Sequence, residues 1–393
     1  MQMVHRPSPA VSFVGRHNSG KTTLLVKVIA ELVSRGLDIG TIKHHGHSDF
    51  EIDYPGKDSF RHRAAGSCDT VIVSPTRMAR VTELKVEPEC NAIVETMPDH
   101  DLVIVEGYRQ SGLPVIEVIR RANERDLAAA DEFCDRGSVR GVFPCAVVTD
   151  MESVAHAAYA RGVESFGLED VSALADYLMR VFARPGLTVA IQAGGESKRM
   201  GRSKATVPFL GAPLLVRIVE RVAPVADELV ITTNEPDQLG FLDDIAVSCP
   251  LRLVEDAYEE RGALRGLATA FEAASNPLVA IVACDMIFAS PSLIVHEAHA
   301  LHQGGFDAMV PHNKFGFEPF HAVYRAQACL PAARDAIARG RVRARDFFDD
   351  VRVGMFERDA LMAVVPEGGC FINANTPDEL ARIERSIEED GDR

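Results

Sequence analysis

Residues 11–22 read VSFVGRHNSGKT, and this stretch decides the fold of the first half of the chain. A short β-branched run at Val11–Val14 predicts a strand. The next eight residues match the motif G-x-x-x-x-G-K-[ST], and the apolar spacing that follows predicts a helix over residues 20–35 with Gly36 as its stop. A strand, a glycine-rich loop and a helix in this order predict a site at which backbone N–H groups surround a phosphate.

The motif gives a role to each of its polar side chains. Lys21 is expected to reach the β- and γ-phosphates of a nucleotide, and Thr22 is expected to hold Mg²⁺. Glu106 ends the apolar run Leu102–Val105, where a carboxylate polarises a magnesium-bound water or the metal itself; a solvated acid at a strand end is the alternative. The candidate nucleotide-binding residues of this half are Gly15, Asn18, Ser19, Gly20, Lys21, Thr22, Thr23 and Glu106.

A second glycine-rich loop opens the other half of the chain, where residues 191–204 read IQAGGESKRMGRSK. This loop lacks the lysine of the first motif. Its small residues let the backbone approach a triphosphate, and Lys198, Arg199 and Lys204 supply positive charge. The pattern A-G-G-x-S-x-R-M-G-x-x-K at the start of a strand–helix unit predicts a nucleotidyltransferase.

Polar residues also follow three later strand candidates. Asp285 comes after the run Val279–Ala283, at the end of the strand where open α/β sheets bind ligands. Because Mg²⁺ prefers carboxylate and phosphate oxygens, Asp285 is a candidate metal ligand; a helix N-cap or a turn acid is the alternative. Asn234 and Asp256 occupy equivalent positions and could contact base, ribose or metal.

Short β-branched runs alternate with longer amphipathic stretches along the whole chain, which is typical of α/β sheets with helical crossovers. Pro185-Gly186 separates a helix predicted at 171–182 from a strand predicted at 187–191. We therefore predict two three-layer α/β domains, residues 9–183 and 187–387. The other strand candidates are Ile39–Ile42, Thr70–Val73, Val115–Ile119, Cys145–Val148, Leu229–Thr232, Leu251–Val254 and Ala308–Val310.

Composition excludes several classes of function. The 393 residues carry a net charge of -15, which argues against general binding to nucleic acid or to a membrane surface, because such binding depends on basic patches. No apolar run approaches the roughly 20 residues of a membrane span, and the N-terminus has no apolar signal segment. The eight cysteines include no C-x-x-C pair, which favours reduced thiols in a cytoplasmic protein.

Four segments of the first domain resemble the MobB family of molybdopterin-guanine dinucleotide biosynthesis adaptors: VGRHNSGKTTL, IKHHGH, DYPGKDSFRHRAAG and VIVEGY. The resemblance covers about residues 10–180, and the PGKDS segment is more specific to the family than the phosphate loop. It implies a P-loop NTPase-like domain that binds GTP, hydrolyses it weakly and assists a guanylyltransferase.

The second domain is similar to the MobA family of molybdenum cofactor guanylyltransferases over about residues 187–387. The resemblance implies a Rossmann-like, glycosyltransferase-A-like nucleotidyltransferase fold, and the segments 318–325 and 371–377 also match. It implies that nucleotide is bound by Gln192, Ala193, Gly194, Lys204, Asn234 and Asp256 and that Asp285 holds magnesium. We add Gly195 and Asp285 to the nucleotide-binding residues and predict that Arg199, Lys204 and Asp285 are catalytic, with Thr22 as the metal ligand of the first domain.

The chain departs from the MobA pattern at three places. Ser203 stands where the family usually has Asp, and Ile287 stands where it usually has Pro. Both changes leave the lysine and the metal carboxylate intact. On the guanine side, residues 262–266 read GALRG in place of G-P-L-A-G, and this change bears on the choice of base.

The two resemblances imply transfer of GMP from GTP to the phosphate of molybdopterin, with Mg²⁺, giving molybdopterin guanine dinucleotide and pyrophosphate. Lys204 and Arg199 are expected to stabilise the leaving pyrophosphate. The alternatives are a cytidylyltransferase or a nucleotidyltransferase with another acceptor, and a GTP-binding scaffold with an inactive second domain. We expect molybdoenzymes or their chaperones as protein partners. We also expect that the chain forms a homo-oligomer and that it is cytoplasmic.

Three weaker patterns leave alternatives open. His44, His45 and His47 could bind a metal, a phosphate or a pterin, although H-H-x-H lacks the helical spacing of the common zinc motif. Asp150 could accept hydrogen bonds from a guanine edge or cap a helix. Asn373 and Asn375 could line the acceptor pocket or cap the last helix.

Overall fold

A computed structural model describes residues 4–46, 53–194, 203–258, 260–313, 316–366, 368–374 and 376–391. The chain divides into two compact units between Ala183 and Arg184; the segment up to Pro7 belongs to the second unit. The predicted α/β class is confirmed for both units. Within the described ranges, no helix is both long and apolar enough to cross a bilayer.

The first unit, Ser8–Ala183, is built on a parallel sheet of six strands in the order β2-β5-β1-β6-β7-β8. Its elements are β1 (Ala10–Val14), α1 (Lys21–Ser34), β2 (Ile39–Lys43), α2 (Asp58–Ala64), β3 (Asp69–Val73), β4 (Met78–Thr82), α3 (Cys90–Glu95), β5 (Leu102–Glu106), β6 (Val115–Ile119), α4 (Glu124–Arg136), β7 (Ala146–Thr149), α5 (Glu152–Tyr159), β8 (Glu164–Phe166) and α6 (Val171–Val181).

Side chains from both faces of this sheet are buried under helices. Phe13 packs with α1 and α6 on one face, whereas Val103 packs with α3 and Val147 with α4 and α5 on the other. Since neither face of this parallel sheet meets water, its strands must be apolar along nearly their whole length. The unit has the three layers that the alternating pattern predicted.

The strand predicted at Thr70–Val73 forms, but outside the main sheet. Among the strands that the structure describes, β3 pairs only with β4, as an antiparallel hairpin, over the register Asp69↔Thr82 to Val73↔Met78. Its apolar side chains Val71, Ile72 and Val73 are exposed. A β-branched run predicts a strand but does not say which sheet the strand joins.

The second unit has an eight-stranded sheet in the order β13-β12-β9-β14-β17-β15-β16, with β18 beside β15. β17 runs antiparallel to β14 and β15. The elements are β9 (Leu187–Gln192), β10 (Pro208–Phe209), β11 (Ala212–Pro213), α7 (Leu214–Val222), β12 (Glu228–Thr233), β13 (Leu251–Glu255), α8 (Ala263–Ala273), β14 (Leu278–Ala283), α9 (Pro291–Gly304), β15 (Ala308–Asn313), β16 (Gly316–Phe317), β17 (His321–Arg325), α10 (Ala326–Ala338), β18 (Val353–Phe356), α11 (Arg358–Val364) and α12 (Pro377–Gly391).

Alternate residues of β9 point into two separate cores. Val189 and Ile191 pack with α7 and α9 on one face, and Ala190 packs with α8 and α10 on the other. Strands β13, β12, β9 and β14 are parallel, so their carboxyl ends meet at one edge of the sheet. The polar residues singled out in the sequence follow these ends, which places them along this edge.

Candidate functional site

The phosphate loop of the first unit lies between β1 and α1. Lys21 Nζ donates to the carbonyl oxygens of Gly15 at 3.1 Å and Arg16 at 2.8 Å, and it also lies 3.3 Å from Ser19 Oγ. A Cβ on Gly15 would lie 2.6 Å from the carbonyl oxygen of Val118, so only glycine fits there. Gly20 has a φ of +82°, which also favours glycine. Burial lowers the pKa of Lys21, and the nearby carboxylates oppose that shift.

Thr22 and Glu106 lie side by side next to the phosphate loop. Thr22 Oγ1 donates to Glu106 Oε1 at 2.8 Å, because β1 and β5 are neighbours and Phe13 pairs with Glu106. Lys43 Nζ lies 3.9 Å from Glu106 Oε2. A hydroxyl beside a carboxylate at the start of a phosphate-binding helix suits Mg²⁺, which takes oxygen ligands.

A buried ion pair that sequence reasoning missed lies in the same unit. Arg109 donates to both carboxylate oxygens of Glu117, at 2.5 and 2.7 Å, and the Glu117 side chain is 1% exposed. Burial raises the pKa of Glu117, while Arg109 acts to lower it. A charge inside the apolar strand VIEVI was the available signal, because a buried carboxylate needs a partner.

The other polar residues predicted in the first unit have separate contacts. Thr23 is exposed in the first turn of α1. His44 Nε2 lies 2.8 Å from Glu87 Oε1 and its ring packs on Tyr108, whereas His47 lies outside the described residues. Asp150 Oδ1 accepts from the backbone N–H of Arg121 at 2.6 Å, and Met151 rather than Asp150 is the N-cap of α5. Asn18 adopts a positive φ of 66° in the loop.

In the second unit, a cavity of about 560 Å³ opens at the carboxyl edge of the sheet. Residues from strand ends, from the first turn of α8 and from the segments before β17 and α12 line it. Its lining includes Gln192, Gly194, Lys204, Thr232, Asp256, Arg261, Gly262, Ala263, Gly266, Asp285, Glu318, Phe320 and Asn373. Five residues assigned by the MobA resemblance therefore share one cavity.

Lys204 and Asp285 form an ion pair inside this cavity. Lys204 Nζ lies 2.8 Å from Asp285 Oδ2, and both side chains are largely buried. The helix-cap alternative for Asp285 is wrong, because the N-cap of α9 is Ser290, whose side chain accepts from the N–H of Leu293. A carboxylate and an ammonium side by side are the kinds of group that can bind a magnesium ion and a phosphate.

Asn234 and Asp256 meet at the neighbouring strand ends. Asn234 Nδ2 donates to Asp256 Oδ2 at 2.7 Å and lies 3.5 Å from the carbonyl oxygen of Gly194. A Cβ on Gly194 would lie 3.0 Å from Asp256 Oδ2 and 3.1 Å from Asn234 Nδ2. Glycine is therefore needed at position 194 for these side chains to close against the loop. Ala193 is buried, and its N–H donates to the carbonyl oxygen of Thr232.

Four residues singled out in the second half lie outside the described ranges: Gly195, Lys198, Arg199 and Asn375. Asn373 lines the cavity and pairs with Met286 through an isolated β-bridge. At the start of α12 the backbone N–H of Thr376 donates to the Glu379 carboxylate, and the N–H of Glu379 donates to the Thr376 hydroxyl. This capping box, rather than an asparagine, caps the last helix. Ile287 is buried in the core, so an apolar side chain fills the place of the usual proline.

A second buried pair lies between α9 and β17 of the second unit. Glu297 of α9 and His321 of β17 are both 0% exposed, with Glu297 Oε1 3.7 Å from His321 Nδ1. The backbone N–H of Ser290 donates to His321 Nε2 at 3.0 Å, so the ring proton of the neutral histidine lies on Nδ1 and faces Glu297. Burial raises the pKa of Glu297 to about 7. A glutamate inside an amphipathic helix gave no sequence signal of this contact.

The described residues form no cluster of three or more His, Cys, Asp or Glu side chains that could hold a metal. A single carboxylate is nonetheless sufficient for Mg²⁺ when phosphates supply other ligands. Asp285 in the second unit and Thr22 with Glu106 in the first have the required oxygen atoms, so both sites fit this ion.

Comparison with known proteins gives a separate result for each half. Residues 10–135 match the model of molybdopterin guanine dinucleotide synthesis protein B, and residues 189–353 match the MobA-like NTP transferase domain. A molybdenum cofactor guanylyltransferase of Desulfosudis oleivorans is 32% identical over 202 residues, which cover 51% of this chain and 96% of that protein.

Two further relatives extend the comparison. A probable molybdenum cofactor guanylyltransferase of Natronomonas pharaonis is 31% identical, over 51% of this chain and 98% of that protein. A molybdopterin-guanine dinucleotide biosynthesis adapter protein of Haemophilus influenzae is 35% identical over 127 residues, which cover 32% of this chain and 71% of that protein.

Proposed function

The chain belongs to the MobB family in its first half and to the molybdenum cofactor guanylyltransferases in its second, and from this membership we propose that it transfers GMP from GTP to the phosphate of molybdopterin. The observation that carries the proposal is the Lys204–Asp285 pair, which lies in the cavity at the carboxyl edge of the second sheet. Open α/β sheets bind their ligands at this edge.

The reaction requires no covalent intermediate with the protein. A phosphate oxygen of the acceptor attacks the α-phosphorus of GTP, and the bond to the bridging oxygen breaks as pyrophosphate leaves with the electron pair. Since the acceptor phosphate is already an anion, no strong general base is required, and positioning with charge neutralisation provides most of the acceleration. Asp285 would hold Mg²⁺, which neutralises phosphate charge when bound. Lys204, with Arg199, would stabilise the leaving pyrophosphate.

The function is tested by measuring pyrophosphate release with molybdopterin and each of GTP, CTP, ATP and UTP. The expected result is a kcat/KM for GTP far above the small values measured with the other three nucleotides. Turnover with CTP instead would make the chain a cytidylyltransferase, and GTP binding without turnover would make it a scaffold. Hydrolysis at the phosphate loop does not disturb the readout, because it releases orthophosphate rather than pyrophosphate.

We further propose that the first unit binds GTP, with Lys21 at its phosphates and with Thr22 and Glu106 holding Mg²⁺. Replacing Lys21 with alanine is expected to weaken GTP binding to this unit by about 10- to 100-fold, since a hydrogen bond to a charged group contributes about 1.5–3 kcal/mol. Calorimetric titration of the whole chain with GTP should then count one site in place of two.

Lys27→Ala is the matched control for that experiment. Lys27 lies on the same helix, α1, and forms an exposed ion pair with Glu169 at 2.6 Å. Two sites in the Lys27→Ala protein and one in the Lys21→Ala protein would support the assignment. Two sites of unchanged affinity in both proteins would contradict it.

A further inference from the structure

Arg261 is a cation in the cavity wall of the second unit that the reaction described above does not use. It lies in the loop before α8, and among the described residues none forms a hydrogen bond or an ion pair with its guanidinium. Arg265, one turn further on, differs: its side chain is 16% exposed and lies 2.5 Å from Glu260. Arg261 is therefore available to a ligand, whereas Arg265 has a structural partner.

We propose that Arg261 binds the O6 and N7 edge of guanine and so determines the choice of GTP over ATP. The inference rests on the proposed function, because it concerns the nucleotide of the same reaction. It names a residue that acts on the base rather than on the phosphates.

The position of Arg261 separates it from the phosphate-binding end of the cavity. The turn that carries Lys204 is buried with α7 through Ala205 and Val207, on one face of the sheet. The segment after Arg261 is buried with α10 through Leu264 and Leu267, on the opposite face. If the phosphates lie with Lys204 and Asp285, the base lies on the side of Arg261.

The wall next to Arg261 has room for a flat ring. Gly266 lies three residues after Ala263 and four after Gly262, so it faces the same side of the start of α8 as they do, and all three line the cavity. A Cβ on Gly266 would lie 3.2 Å from Gln192 Nε2, which shows how closely the Gln192 amide packs against this glycine. Side chains of this size leave the surface free for a planar base.

The chemistry of guanidinium selects between the two purines. Arginine carries five N–H donors and no acceptor. Guanine presents two adjacent acceptors, O6 and N7, whereas adenine presents an amino donor in place of O6. Arg261 can therefore donate two hydrogen bonds to guanine, but it meets a donor on adenine.

The experiment compares wild type, Arg261→Ala and a control, Arg334→Ala, in pyrophosphate release with GTP, 7-deaza-GTP and ATP. Arg334 is an arginine on α10 that forms an exposed pair with Glu272, away from the cavity lining. In Arg261→Ala, kcat/KM for GTP should fall by about 10- to 100-fold, as expected for loss of a bidentate contact to guanine. The value for ATP should change by less than about twofold, and the control should match wild type.

The 7-deaza nucleotide tests the contact at the level of one atom. It lacks N7, so wild type should use it about tenfold less well than GTP, and the Arg261→Ala protein should use both equally. An equal loss with GTP and ATP would show a phosphate contact or a structural role and would overturn the inference, as would unchanged selectivity. These failures leave GTP turnover by wild type intact, whereas absence of that turnover would contradict the proposed function itself.

Discussion

Replacing Asp285 with asparagine is expected to lower pyrophosphate release from GTP by a factor on the order of 10²–10³, the usual loss when one preorganised charge-stabilising group is removed. The asparagine side chain has nearly the same shape but no charge, so it is a poor ligand for Mg²⁺. It also leaves Lys204 without the carboxylate that lies 2.8 Å from its Nζ. Initial rates at saturating GTP measure the loss.

Two further proteins show whether this loss belongs to the site. Asp244→Asn removes an exposed carboxylate outside the cavity lining and should keep the wild-type rate. Combining Asp285→Asn with Lys204→Met should cost less than the product of the two single losses, because residues in direct contact are not independent. If the Asp285→Asn protein kept more than a tenth of the wild-type rate, Asp285 would not be a catalytic residue.

Raising the pH from 5 to 8 is expected to destabilise the second unit through the carboxyl of Glu297. Burial raises its pKa from the ordinary 4.5 to about 7. Between pH 4.5 and pH 7, Glu297 therefore keeps its proton in the folded protein but has lost it in the unfolded chain. The stabilisation is therefore complete below about pH 4.5 and is lost as the pH rises to about 7. At about 1.4 kcal/mol per pKa unit, the change amounts to about 3 kcal/mol.

Two neighbours of Glu297 keep their protons over this pH range. The Nε2 atom of His321 accepts a hydrogen bond from the Ser290 N–H at 3.0 Å, so this ring is held in place beside Glu297. Burial raises the pKa of Cys370 to about 12 and raises the pKa of Tyr324 well above its ordinary 10, so both remain protonated between pH 5 and 8. Glu297 is the carboxyl in this contact whose raised pKa lies inside the tested range.

Glu297→Gln isolates this contribution, because glutamine is neutral at every pH. Thermal unfolding followed by circular dichroism at pH 5 and pH 8 should show a smaller loss of stability in Glu297→Gln than in wild type. Glu272→Gln is the surface control, since Glu272 is about half exposed and paired with Arg334. Equal pH dependence in wild type and Glu297→Gln would show that the buried carboxyl does not titrate in this range.

Local patterns predicted the fold well because a strand, a loop and a helix are encoded by neighbouring residues. The phosphate loop before Lys21 and the strand ends at Asn234, Asp256 and Asp285 are such features. Strand order is not encoded in this way, and for that reason Thr70–Val73 was correct as a strand but misplaced with respect to the main sheet. The alternative reading of Asp285 as a helix cap was excluded only by the contacts of Ser290.

Long-range contacts explain what sequence reasoning missed at the site. Arg109 and Glu117 are eight residues apart, and only the fold shows that both are buried against each other. Glu297 and His321 come from a helix and a strand, and neither residue belongs to a motif. Arg261 comes just before residues 262–266, where the sequence already differed from the MobA pattern. Its place in the cavity, however, follows from the packing of α8.

Residues 182–186 alone separate α6 of the first unit from β9 of the second. Two partners joined by so short a segment remain together at any dilution, with an effective concentration on the order of millimolar. Two separate proteins would have to be synthesised in matched amounts, and the rate at which they met would fall with their concentrations. Translation of a single message fixes the ratio of adapter to transferase at one to one.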